Sequence, residues 1–327
     1  MKKLLKVLLV IIVVLSMSAC TSANKQESND EPLTDKINKI GVVQLVEHDA
    51  LDAATQGFKD QLEKDFSNIV IDVKNAQGES ANCSTIVNGF VSNDYDLIMA
   101  NATPALQSAV TATGDIPILG TSVTDYGAAL GIDNFTGLVG ENVSGTSDYL
   151  PLDRQAQIIL DLFPDTKTVG ILYCSSEDNS KFQAEEVTKY LESKGIKVIN
   201  DDTFTDSNDV GLVTERLCDK VDVIFIPTDN QAASCAETIN NITLEKKVPV
   251  ICGEEGICAK CGVATLTIDY YELGVLTAKM ARQILTGEKN IEEMPIEYFE
   301  NPVKKYNPEI ASTLGIEIPS DFIAIEQ

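Results

Sequence analysis

The sequence predicts an α/β fold of two doubly wound parallel-sheet lobes with a ligand cleft between them, and three observations predict it. The chain repeats itself: Gly41 and Gly170 are 129 residues apart, Asp96 and Asp222 are 126 apart, and Pro117 and Pro249 are 132 apart, each in matching surroundings. The apolar runs are short, rich in Val and Ile, and do not alternate, which is the pattern of strands buried on both faces of a parallel sheet. Segments such as 50–64 and 182–194 carry helical periodicity between those runs. Strand–helix alternation at this spacing builds βαβ units.

In chain order, the first lobe reads KIGVVQLVEH (39–48), a helical segment, NIVIDVKNAQ (68–77), a second helical segment, YDLIMANATPAL (95–106) and DIPILGTSVTD (115–125). The second lobe reads TVGILYCSSE (168–177), a helix, GIKVINDDTF (195–204), a helix, VDVIFIPTDNQA (221–232) and KVPVICGEEG (247–256). An amphipathic helix at 270–286, stopped by Gly287, has no counterpart in the repeat. A chain that crosses back to cover the first lobe accounts for it. The tail, with Pro295, Pro302, Pro308 and Pro319, reads as strand and loop with a short helix at 308–314 that returns to the second lobe. The expected boundaries are 38–148 plus about 269–293 for the first lobe, and 149–268 plus about 294–327 for the second.

Residues 1–20 read as an address. Lys2, Lys3 and Lys6 form a positive head, 7–15 is an apolar run, and Ser16, Met17, Ser18, Ala19 and Cys20 are mostly small, the order of a secretory signal. The run is shorter than the ~20 apolar residues a bilayer span takes. Residues 21–37 are almost entirely polar and read as a flexible tether. The chain has 50 acidic and 25 basic residues, a charge of −25, and loss of the address leaves −28. Such a charge opposes binding to nucleic acid or anionic lipid. His48 is the only histidine, which excludes multi-histidine metal cages, HExxH sites and any Ser-His-Asp or Cys-His nucleophile that does not use it. No P-loop, GxGxxG fingerprint or nucleophile elbow occurs.

In open α/β sheets, ligands sit outside the carboxyl ends of the strands, so the strand-end loops are the candidate site. They contain Gln44 to His48, Asn101 to Pro104, Gly120 to Asp125, Ser175 to Ser180, Thr228 to Asn230 and Gly253 to Gly256, with Asp269, Tyr270 and Tyr271 at the chain crossover. Thr103-Pro104 is a helix-start signature, and the free N–H groups and dipole of such a terminus suit a carboxylate. Ser122 adds a hydroxyl. Across the cleft, Asp229, Glu254 and Asp269 are acceptors that suit an ammonium group. Donors on one lobe and carboxylates on the other are what an amino-acid zwitterion needs. His48, Ser176 and Asn230 are secondary ligand-binding candidates, and Tyr126, Tyr149 and Phe182 are candidate aromatic walls.

With these loops in view, the chain resembles the tryptophan/tyrosine-type substrate-binding proteins of ABC importers, which have the type I periplasmic-binding fold. The matching segments are QLVEHDALDAATQGF, DLIMANATPALQSA, VTD, YCSSEDNS, PTDNQAAS, GEEG and ATLTIDYYELG, within about residues 38–290. Met17-Ser18-Ala19-Cys20 resembles a bacterial lipobox, which implies cleavage before Cys20 and its acylation. The family resemblance implies capture of a small solute, in its better-understood members an aromatic amino acid, and delivery to a membrane permease. It carries ligand contact onto Thr103, Ser122, Asn179, Asp229, Glu254 and Asp269. It implies no cofactor, no metal and no catalytic group, because binding and a population shift suffice.

Seven further cysteines, Cys83, Cys174, Cys218, Cys235, Cys252, Cys258 and Cys261, depart from the family pattern. Three readings are open for them: free core thiols, a Cys258–Cys261 disulfide, or metal ligands. Competing functions are a binding protein for a sugar or nucleoside, a ligand-sensing lipoprotein, and an extracellular enzyme using Glu47, Glu254 or Asp269 as acid or base. The absence of Arg and the few aromatics in the strand-end loops count against the sugar reading.

Overall fold

The computed structural model describes residues 37–299 and 301–326. The expected address at 1–20 with Cys20, and the tether up to residue 36, lie outside the described residues.

The short Val- and Ile-rich runs form two sheets. β1 (Asn38–Gln44), β2 (Ile69–Asn75), β3 (Leu97–Asn101), β4 (Ile118–Val123) and β5 (Val143–Ser147) run parallel in the order β5-β4-β3-β1-β2. β6 (Thr168–Ile171), β7 (Lys197–Ile199), β8 (Val223–Ile226), β9 (Val250–Cys252) and β10 (Ala264–Thr267) repeat that order as β10-β9-β8-β6-β7. The sequence repeat is therefore a repeat of topology. Every residue of β3, β4 and β5 is buried, as expected of strands covered on both faces. β2, at the sheet edge, is only partly covered.

Helices fill both faces of each sheet. The first lobe carries α1 (Asp49–Asp65), α2 (Ser80–Ser92), α3 (Thr103–Ala112) and α4 (Tyr126–Leu130). The second carries α5 (Leu152–Leu162), α6 (Asp178–Ser193), α7 (Val210–Cys218), α8 (Asn230–Ser234), α9 (Ala236–Lys246) and α10 (Glu255–Cys261). The chain first crosses between lobes after β5. It crosses back into α11 (Tyr270–Leu285), which packs along α1. β11 (Glu297–Tyr298) then pairs with β5 in the first sheet. β12 (Val303–Tyr306) pairs antiparallel with β10, so the chain returns to the second lobe between Tyr298 and Val303. α12 (Pro308–Leu314) and β13 (Ile323–Ala324) complete that lobe.

α11 holds the halves together. Thr277 on this helix, Thr146 on β5 and Thr121 on β4 share hydroxyl hydrogen bonds of 2.8–3.1 Å in a buried trio. Toward the cleft, Ala50 and Ala54 of α1 join Tyr270 and Leu273 of α11 in the core of the second lobe. The helices touch backbone to backbone. A Cβ on Gly274 would lie 2.0 Å from the Ala54 carbonyl oxygen, and one on Gly57 would lie 2.0 Å from that of Tyr271. Side chains expected to wall the cleft are used elsewhere. Tyr126 is buried in the first-lobe core with its hydroxyl on the Thr146 carbonyl at 3.1 Å. Tyr149 packs against Phe182, ring centroids 6.5 Å apart. All seven cysteines among the described residues are free thiols, and all but Cys235 are buried.

Gly274→Leu must push two helix backbones apart, at a cost of about 3 kcal/mol, or roughly 6–12 °C in the thermal midpoint. Gly89→Ala, where a Cβ meets nothing within 4 Å, should hold or raise the midpoint. Thermal denaturation followed by circular dichroism checks both.

Candidate functional site

The strand ends of the two sheets converge on an enclosed cavity of about 10 Å³, room for roughly one water. The first lobe lines it with His48, Ala50 and Leu51 after β1, Ser122 and Thr124 at the end of β4, and Asp148 just past β5. The second lobe brings Asn179 from the first turn of α6, and Thr228 and Asn230 after β8. Tyr270, where the chain crosses back, closes the hinge side. A solute larger than a water fits there only if the lobes part to admit it and settle around it.

The polar atoms around this cavity are not satisfied by the protein. Ser122 Oγ, His48 Nδ1, Asn179 Oδ1 and Asp148 Oδ1 are buried and have no hydrogen-bond partner. So is Thr103 Oγ1, at the start of α3. The helix begins at Thr103 with Ala102 at its N-cap, so this hydroxyl does not cap it. A buried polar atom left unpaired costs about 1–3 kcal/mol, so four around one cavity favour whatever polar partner fills it. The backbone is strained at the same edge. Ala102 has φ +89° and Ser122 φ +53°, in the left-handed region that side chains other than glycine rarely adopt.

The second-lobe face is built on a buried carboxyl that the sequence did not single out. Glu177 is 3% exposed. Its Oε2 accepts from Asn230 Nδ2 at 2.5 Å, Asn179 Nδ2 at 3.2 Å and the Asn230 backbone N–H at 3.3 Å, while Oε1 accepts from the Gln231 N–H at 3.1 Å. Burial, and then the Asp229 carboxylate beside it, push Glu177 up to about 8. Asp148 is the carboxyl group that opens on the cavity. Its Oδ2 accepts from the Tyr270 hydroxyl at 2.9 Å, leaving Oδ1 toward the cavity. Burial raises it, and hydrogen bonds from the Tyr270 and Thr124 hydroxyls hold it back.

Of the expected contacts, Ser122, Asn179, His48 and Asn230 line the cavity, and Thr103 lies at the adjoining helix start. The three acids expected to meet an ammonium do not line it. Asp229 is buried, but its carboxylate accepts from the Ala232 N–H at 2.7 Å and the Cys174 N–H at 2.6 Å, capping α8 and pinning β6's end. Glu254 caps α10 through the N–H groups of Gly256 and Ile257, and burial pushes it up to about 7. Asp269 is exposed and caps α11 through the Glu272 N–H at 3.1 Å. Each precedes a helix, where an acid caps by default. Ser176 is exposed and bonded to the Thr205 carbonyl at 3.0 Å. Sequence reasoning placed Tyr270 and Glu177 in the candidate loops without a role, and left out Asp148. The available signal was a single acid between a buried strand and Pro151 at the first crossing.

Glu254 and Asp269 instead border a wider outer groove of about 550 Å³, with Asp49, Tyr271 and Lys305. Two of its acids are already paired: Lys260 with Asp49 at 2.9 Å and Lys305 with Glu255 at 2.7 Å. Only the inner cavity collects unpartnered buried atoms, which makes it the better candidate. Four contacts close the lobes over it: His48 Nε2 to Asn230 Oδ1 at 3.2 Å, Gln231 Nε2 to the Gly78 carbonyl at 3.0 Å, Gln107 Nε2 to Asp178 Oδ2 at 2.9 Å, and Lys260–Asp49.

Residues 39–326 match the family model described as ABC transporter substrate binding protein. A tyrosine-binding protein of Clostridioides difficile (strain R20291) is 38% identical over 305 residues, 90% of this chain and 87% of that protein. A Streptococcus pneumonia ABC domain solved in complex with L-Trp superposes with TM-score 0.82 at 34% identity, covering 87% of this chain and 97% of that one. A ligand-free, open substrate-binding protein with adhesive properties from Clostridium difficile is 39% identical, covers 89% and 99%, and superposes with TM-score 0.67. The chain therefore superposes better on the L-Trp complex than on the open structure, although the open one is closer in sequence.

Burial pulls His48 down to about 4 from an ordinary 6.5, against the Asn230 hydrogen bond that raises it. The closed fold therefore holds the neutral ring. The stability this confers is complete above about pH 6.5 and is lost as pH falls toward 4. Because the chain has one histidine, ¹⁵N NMR reads this directly: at pH 5.5 under about 10% of the imidazole should be protonated, where a free ring would be mostly charged.

Proposed function

Because the chain belongs to the ABC transporter substrate-binding proteins, we propose that it is the extracytoplasmic solute-binding lipoprotein of an importer and that its solute is an aromatic amino acid. The lobes part at the crossings, take the amino acid and close over it, and the closed form presents both lobes to a membrane permease. The single observation that carries the amino-acid reading is the set of unpartnered buried atoms around the inner cavity. They divide as a zwitterion does. Asp148 Oδ1 is the acceptor for the ammonium, with Tyr270 orienting the carboxylate from its other side. The Ser122 and Thr103 hydroxyls and the first turn of α3 receive the carboxylate. The tyrosine named for one relative and the L-Trp bound to another agree with an aromatic side chain.

This role asks for no bond-making group. Ligand binding to the closed state shifts the population of lobe arrangements, and the ligand's differential affinity sets the size of the shift. The address at 1–20 and acylation of Cys20 would anchor the mature chain on the outer side of the cell membrane without spanning it. Among the described residues no helix is long and apolar enough to cross a membrane.

Thermal-shift measurement on the two-lobed body (38–327) should show stabilisation of about 2.7 kcal/mol by an aromatic amino acid at 100 times its Kd. A clear shift with a sugar or nucleoside and none with any L-amino acid overturns the reading. Calorimetric titration should show Asp148→Asn weakening the amino acid about 30-fold or more. Asp269→Ala should leave affinity within about twofold, since an exposed cap touches only its own helix.

A further inference from the structure

One acceptor in the cavity comes from a different strand end than Asp148. Asp148 follows β5 and His48 follows β1, with β4 and β3 between them in the sheet. At about 4.8 Å per strand the two strand ends stand roughly 14 Å apart. Asp148 and His48 therefore reach the cavity from strands three steps apart in the sheet, Asp148 beside Tyr270 and His48 beside Asn230.

The hydrogen-bond chain behind His48 fixes which nitrogen faces the ligand. Asn230 Nδ2 donates to Glu177 Oε2 at 2.5 Å. The backbone N–H of Asn230 and Asn179 Nδ2 donate to the same oxygen, which is thereby an acceptor. With Glu177 ionised, Asn230 turns Oδ1 toward His48, and an amide oxygen only accepts. His48 Nε2, at 3.2 Å from it, carries the proton. The ring is neutral, so Nδ1 is a bare lone pair, buried and without a protein partner. The carboxyl orients Asn179 in the same way. Its Nδ2 is spent on Glu177, Ser180 and the Thr228 carbonyl, and its unpartnered Oδ1 is the companion acceptor.

Resting on the amino-acid reading of the site, we propose that His48 is its specificity-determining residue. Nδ1 accepts a hydrogen bond from a donor on the ligand side chain, a phenol O–H or an indole N–H, and so selects such amino acids over phenylalanine. Glu177 and Asn230 are positioning residues that hold the ring for this task. A phenyl ring in the same place leaves the buried lone pair unanswered, the kind of mismatch by which sites reject a ligand lacking one donor.

The test titrates L-Tyr, L-Trp and L-Phe into the wild-type protein and His48→Leu by calorimetry, with ¹⁵N NMR of the wild type. The wild type should prefer L-Tyr or L-Trp to L-Phe by about tenfold or more. In His48→Leu that ratio should fall to about twofold or less. The NMR readout does not depend on the variant folding. The lone imidazole should show the Nε2–H tautomer, and its Nδ1 resonance should move with the preferred ligand and stay in place with L-Phe. An unchanged ratio in the variant, or an Nδ1 resonance that ignores the preferred ligand, overturns the proposal. So does an equal loss of all three ligands in the variant, which would put the ammonium at His48. If none of the three binds the wild type, the amino-acid reading itself fails and takes this one with it. Binding of all three with equal affinity sinks only the role of His48.

Discussion

A carboxyl group sealed inside a protein must be given hydrogen-bond donors, and Glu177 obliges the second lobe to bring it four N–H contacts from Asn179, Asn230 and Gln231. That demand ties the first turn of α6 to the start of α8, the two strand-end segments that face the inner cavity. It also spends the amide nitrogens of Asn179 and Asn230, so their oxygens are what the cleft side receives. The neighbouring Asp229 is used in the same way, by the N–H groups of Ala232 and Cys174. One lobe thus presents fixed acceptors to the inner cavity, because its buried acids have already drawn in the donors.

The first lobe works by withholding satisfaction. Thr103 and Ser122 sit beside or on left-handed backbone, at Ala102 and at Ser122 itself, and neither hydroxyl finds a protein partner. Strain and unpaired groups at one edge are tolerable because α11 pins β4 and β5 through Thr277 and packs on α1 through Gly57 and Gly274. The rigid part and the hungry part lie a few residues apart on the same elements. Closure joins them to the other lobe by a few polar contacts such as His48–Asn230 and Gln107–Asp178. Contacts of that kind are worth about 1 kcal/mol each, little enough for a ligand to decide the balance.

The fold was legible because its signal is periodic. The β1-to-β5 order returns in β6-to-β10, and the sequence carries that return in the spacing of Gly41 and Gly170, Asp96 and Asp222, and Pro117 and Pro249. The unpaired helix was legible too, since 270–286 had no counterpart and α11 does cross to α1. The site was legible as a set of loops and less so as a set of roles. An acid at a strand end stands just before a helix, so Asp229, Glu254 and Asp269 match a cap as well as a ligand contact, and in the folded chain they are caps. Asp148 stands where the chain leaves the lobe, and only the folded chain shows that its second oxygen has no partner. Glu177 and Tyr270 act through neighbours distant in sequence, which no spacing reports.

The central claim is that the unpartnered atoms of the inner cavity are the ligand's contacts, with Asp148 at the ammonium. A crystal structure of the protein grown with L-tyrosine or L-tryptophan tests this most directly. The account predicts the ammonium nitrogen about 3 Å from Asp148 Oδ1, with the carboxylate at Ser122 and Thr103 and the lobes closed. An amino acid lodged in the outer groove beside Glu254 and Asp269, or one in the cleft whose ammonium does not reach Asp148, would contradict it.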